Sequence, residues 1–195
     1  MMNQHKNRPD FFDQVTLFGL LEMYEQHFAN KTYIYETDNK VSPLQIHFKY
    51  AQFPHLIGLQ YFNLGTNLEI NAMIKSGELT ISTLKEKNPQ TYEEMEYRIM
   101  FFSLMVELMA KPKIGEKTRG PAKVMFYCYD IRYNWVYYLG VSNKGSKDPA
   151  IFYPMTFIED KGPRANKADR IQAPYKSMRI LDSNGQEIHS VSFKK

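Results

Sequence analysis

Cysteine is almost missing from this chain of 195 residues. Cys128 stands alone, which excludes an intrachain disulfide and a cysteine-built metal cluster. It lies inside a strand-like run and reads as a small core residue rather than a nucleophile. No apolar run approaches the roughly 20 residues that a membrane-spanning helix requires. The opening residues MMNQHKNRPD lack the charged-then-apolar order of a secretory signal, so a cytoplasmic protein without membrane attachment is expected. Gly-x-Gly-x-x-Gly and Gly-x-x-x-x-Gly-Lys-Ser/Thr are both missing, which argues against an enzyme built on a nucleotide cofactor. His5, His27, His47, His55 and His189 are scattered, with no His-x-x-x-His and no carboxylate pair at ligand spacing. Neither a metal nor a cofactor is therefore expected. There is no internal repeat and no low-complexity segment.

Hydrophobic residues make up 43% of the chain, enough for one core, and a single domain over residues 1–195 is expected, with residues 1–9 frayed. The net charge of +4 is unevenly spread. Residues 1–110 carry 9 Lys and Arg against 13 Asp and Glu, whereas residues 111–195 carry 16 against 8. A basic half rich in Tyr, with the one Trp, suits a polyanion, because cations attract phosphates and aromatic faces stack bases. A solvated basic side with no partner is the plainer alternative.

Helical spacing runs from Phe11 to Phe28, with Asp10 placed as a cap and Asn30 as a stop. Lys31–Thr37 and Leu44–Tyr50 alternate like two strands of a hairpin turning at Asp38-Asn39-Lys40. From His55 a helix is expected to about Asn63, and another from Asn67 to Ile74 with Gly77 as its stop. Leu79–Lys85 suggests a short helical piece. Thr91 with Glu94 forms a capping-box pattern ahead of an apolar stripe reaching Met109. The acidic run Glu93, Glu94, Glu96 sits where a helix dipole favours it and needs no chemistry.

After the basic connection 111–123 the period changes to short aromatic strands, the last two joined by Asp182–Gly185 as a tight hairpin. The break 161–176 carries Lys161, Arg164, Lys167, Arg170 and Lys176 against one Asp. The class implied is α+β, with N-terminal and central helices on a mostly antiparallel, twisted sheet.

Pro54 presets a helical φ, which puts His55 in a first turn, beside outward-facing amides that suit a phosphate. The alternative for a histidine flanked by Leu, Ile and Gly is a hydrogen-bonded structural residue. The stretch Phe53-Pro54-His55-Leu56-Ile57-Gly58-Leu59, the aromatic strands around Tyr138-Leu139-Gly140, and Tyr153-Pro154-Met155-Thr156-Phe157-Ile158 together resemble the fourth phage-associated branch of the barnase, EndoU, colicin and RelE-like nucleases. The resemblance spans Lys31 to Arg179 and sets a nuclease-like region over residues 31–180. Where that pattern tends to offer serine before Phe-Ile, this chain has Thr156.

The resemblance implies a metal-independent endoribonuclease of phage or mobile-element type, toxin-like and acting in the cytoplasm of a bacterial host. Its nucleophile would be the ribose 2′-OH of the substrate itself. His55 would move the proton, Thr156 would donate to a phosphate oxygen, and Lys123 or Arg132 would neutralise developing charge. Tyr127, Trp135 and Tyr138 would stack bases, and Lys161, Arg164, Lys167 and Arg170 would hold the RNA backbone. For the aromatics the alternative is cross-strand packing, and for Thr156 an ordinary strand hydroxyl. RNA is the partner implied, with a host protein or an antidote protein as further partners. The competing class is a non-catalytic inhibitor or adaptor that uses the same basic aromatic sheet to bind nucleic acid or a host protein.

Overall fold

A computed structural model describes residues 10–37, 43–110, 113–116, 124–130, 135–144, 146–161 and 175–193. A 3-10 turn at Asp10–Gln14 leads to α1, Leu17–His27, whose cap is Thr16 rather than Asp10: the Thr16 hydroxyl accepts from the Gly19 N–H. The hairpin β1, Lys31–Thr37, and β2, Leu44–Phe48, follows as its alternation requires. Next come α2, Phe53–Leu56; α3, Asn67–Ser76; α4, Ile81–Lys87; α5, Pro89–Phe101; and α6, Met105–Ala110. The strands β3, Lys113–Glu116; β4, Val124–Asp130; β5, Trp135–Ser142; β6, Ile151–Lys161; β7, Tyr175–Leu181; and β8, Glu187–Ser192 complete the order.

Four features differ from the expectations. The helix expected from His55 to Asn63 is one turn long, because Gly58 takes a left-handed φ of 86° and the chain re-forms only as a 3-10 turn at Leu59–Phe62. A Cβ on Gly58 would lie 2.7 Å from the Met95 sulfur, so the close approach of α5 also favours glycine there. The helix expected to open at Thr91 opens at Pro89, with the Asn88 side chain accepting from the Thr91 N–H. Its apolar stripe is split between α5 and α6 by a 3-10 turn at Phe102–Leu104. The segment 111–123, read as a connection, contains the short strand β3.

The described strands form one eight-stranded sheet in the order β3-β4-β5-β6-β2-β1-β7-β8. Every neighbouring pair is antiparallel except β2 and β6, which run parallel over two registered pairs, Gln45 with Ile151 and Ile46 with Phe152. The fold is α+β. One face of the sheet presents Tyr33, Tyr35, Ile46, Phe48, Leu139, Val141 and Phe157 to a core shared with Leu21, Tyr24, Phe53, Leu56, Phe101 and Phe102. Aromatic edges close the contact, with Phe102 at 5.3 Å from Phe157 and Phe101 at 4.8 Å from Tyr137 between ring centroids. The alternate residues face away from this core. No helix among the described residues is long and apolar enough to cross a membrane.

Candidate active site

The site grows from the parallel seam. β2 stops at Phe48 while β6 continues, so Lys49–Leu56 runs alongside β6 in place of a strand. There β6 carries an irregularity: Gly140 pairs with Thr156 but Val141 pairs with Pro154, leaving Met155 as the extra residue of a bulge. Pro154 has no N–H to give to a ladder, which fits it to such a position. The carbonyls of Pro154 and Met155 are instead taken by side chains from the seam. Gln52 Nε2 donates to Pro154 O at 3.3 Å, and His55 Nε2 donates to Met155 O at 3.0 Å.

That last bond fixes the tautomer of the neutral ring. A carbonyl oxygen only accepts, so Nε2 carries the hydrogen, and in the neutral imidazole Nδ1 is left as the acceptor. The turn holding His55 is fixed from the other side by α5. Arg98 donates through Nη2 to the carbonyl of His55, at 2.9 Å, and through Nε to that of Leu56, at 2.8 Å. The guanidinium thus meets the carbonyl end of α2 through two direct hydrogen bonds. A single turn has no macrodipole of the size assumed for a phosphate cradle, so the helix-terminus part of the sequence argument does not carry over. His55 itself is half-buried.

Thr156 is brought beside His55 along the backbone, since the accepting carbonyl belongs to the Met155–Thr156 peptide. Its neighbour Phe157 points into the core, and Thr156 lies opposite Gly140 in register, so its side chain belongs to the face turned away from the helices. Tyr138, half-buried, shares that face two residues from Gly140. Tyr127 occupies the register position opposite Tyr138, and Trp135 the one opposite Lys161. Lys123, Arg132, Arg164, Lys167 and Arg170 lie outside the described residues, as do residues 1–9 and the Asp38-Asn39-Lys40 turn.

Four residues that sequence reasoning did not assign stand around the seam: Gln52, Arg98, His47 and Lys49. His47 and Lys49 were legible only as the polar side of an alternating strand, and Arg98 only as one cation on a long helix. Thr32 Oγ1 lies 3.1 Å from His47 Nδ1, and burial, helped by the Lys49 charge, lowers the His47 pKa. Among the described residues no three His, Cys, Asp or Glu side chains converge as a metal-holding group.

The family model described as phage-Barnase-EndoU-ColicinE5/D-RelE like nuclease4 matches residues 17–193 of the chain. No curated protein and no solved structure matches it.

Proposed function

The chain belongs to this family of phage-type, barnase-, EndoU-, colicin- and RelE-like nucleases, and from that premise we propose that it is a metal-independent endoribonuclease cleaving RNA by transesterification. The observation that carries the reading is the His55 ring, pinned by Nε2–H to the bulged Met155 carbonyl so that Nδ1 is the acceptor. In the proposed reaction Nδ1 takes the proton of a ribose 2′-OH, whose oxygen attacks the adjacent phosphorus. The bond from phosphorus to the 5′-oxygen breaks, and that oxygen takes a proton from the imidazolium or from solvent. A 2′,3′-cyclic phosphate and a free 5′-OH result. Because the nucleophile is part of the substrate, no metal-bound water is needed to supply one.

In this scheme Thr156 donates to a non-bridging oxygen, Lys123 or Arg132 offsets the added charge of the phosphorane, and Tyr127, Trp135 and Tyr138 stack the flanking bases. Lys161, Arg164, Lys167 and Arg170 hold the strand backbone. The test is incubation of purified protein with total cellular RNA in EDTA, comparing the natural chain with His55→Ala. Cleavage by the natural chain alone is the expected result, and cleavage only on adding Mg²⁺ would overturn the mechanism.

A second reading, binding of nucleic acid or a host or antidote protein without cutting, is favoured by one feature of the same site. The bond from His55 to Met155 O is also one that a purely structural histidine makes. Under that reading His55→Ala lowers stability and leaves RNA intact in all samples.

A further inference from the structure

A second cluster lies at the same seam and is not used by the scheme above. Lys49 Nζ sits 4.6 Å from the centroid of the Tyr153 ring, and the His47 ring approaches the same tyrosine edge-on, at 5.9 Å and 84°. His47 is oriented by Thr32 through Nδ1. The backbone under Lys49 is held twice, by its N–H to Gln52 Oε1 at 2.7 Å and by its carbonyl, which accepts from the buried Tyr24 hydroxyl at 2.9 Å. An exposed cation therefore stands on a rigid base, beside an imidazole and over an aromatic ring. Among the described residues no carboxylate pairs with Lys49. The carboxylate of Glu36, on β1, is engaged by Arg179 and Ser177 instead.

We propose that Lys49, His47 and Tyr153 form a binding subsite for one nucleotide of a single-stranded RNA, distinct from the base-stacking and loop positions named above. The Lys49 ammonium and the His47 imidazole take a phosphate oxygen, and Tyr153 takes a base. In the free protein the ammonium occupies the ring face. An exposed cation–π contact is weak, so Lys49 exchanges it readily for a phosphate and opens the ring for stacking. The placement supports continuity with His55: three successive residues of β6, Tyr153, Pro154 and Met155, receive Lys49 with His47, then Gln52, then His55.

The identity of the ligand rests on the nuclease reading, and the experiment separates the two. A fluorescent 2′-O-methyl oligonucleotide, which has no free 2′-OH to react, is titrated with the full chain in EDTA over a range of KCl concentrations. Lys49→Gln should weaken binding about 3- to 10-fold at low salt and flatten the slope of log affinity against log salt by about 0.7, with Lys49→Arg restoring both. Tyr153→Leu should weaken binding and leave the slope unchanged. Lys49→Gln that binds like the natural chain with the same slope overturns the subsite, even if unmodified RNA is cleaved normally. Salt-sensitive binding that Lys49→Gln reduces, with no cleavage of unmodified RNA, keeps the subsite and removes the catalytic reading. A natural chain that does not bind the oligonucleotide at all removes the subsite.

Discussion

At the scale of single residues, the histidines divide by what they touch. His55 donates to a backbone carbonyl, whereas His47 shares a contact with a threonine hydroxyl and feels the Lys49 charge. Burial first, and then the Lys49 charge, lowers the His47 pKa below its ordinary 6.5. The unfolded chain therefore takes up this proton before the folded one as pH falls. The stability contributed is fully present above about pH 6.5 and is lost as pH drops through the folded value. His27, lowered by burial and by Lys31, acts in the same direction. Melting temperature followed from about pH 8 to 5 should fall at the acid end, and His47→Gln, which keeps an amide for Thr32, should make that fall shallower. An identical pH profile in the variant would show that His47 is not held neutral by the fold.

At the scale of elements, α2 is a turn defined by its neighbours. Its own sequence supplies Pro54 and the left-handed Gly58, but its position comes from Gln52 and His55 on the β6 bulge and from Arg98 on α5. Removing the guanidinium with Arg98→Met would take its donor from the Leu56 carbonyl, leave the His55 carbonyl with the Gly58 N–H, and release the turn. The expected cost is about 2 to 4 kcal/mol in chemical denaturation, with RNA cleavage down about 100-fold through displacement of His55. A variant as stable and as active as the natural chain would show that α2 holds itself. These contacts also mark how far sequence reading reaches. The alternation of Tyr33 with Tyr35 and of Ile46 with Phe48 gave β1 and β2 their buried faces, because strand period is a local property. The end of α2 was misplaced because the apolar run Leu56-Ile57 continues a helical pattern, while the left-handed Gly58 and the close approach of Met95 end it. Pro154 marks an irregularity in β6, but nothing local marks Met155 as its extra residue, or Arg98 as the partner of carbonyls some forty residues away.

At the scale of the whole molecule, strand order was the least legible feature. The hairpin pairs β1–β2 and β7–β8 join neighbours in sequence, but β1 also pairs with β7, and β2 runs parallel to β6. Hydrophobic pattern tells which face of a strand is buried without naming the strand beside it. Charge, by contrast, was readable from the start: the excess of Lys and Arg after residue 110 predicts RNA binding that weakens as salt rises. Neutralising Lys161, Arg164, Lys167 and Arg170 together should flatten the salt slope by about 0.7 for each phosphate contact removed, measured by anisotropy. An unchanged slope would show that these residues do not touch RNA.

The proposed activity of the molecule as a whole rests on His55. The most direct measurement pairs the rate of RNA cleavage in EDTA with the melting temperature, for the natural chain and for His55→Ala. A lost proton-transfer group predicts a rate lower by about 10²- to 10⁴-fold. Freeing a half-buried Met155 carbonyl of its donor predicts a stability loss of only about 1 to 2 kcal/mol. A folded His55→Ala chain that cleaves RNA at the natural rate, or activity that falls only in step with the folded fraction, would contradict the account.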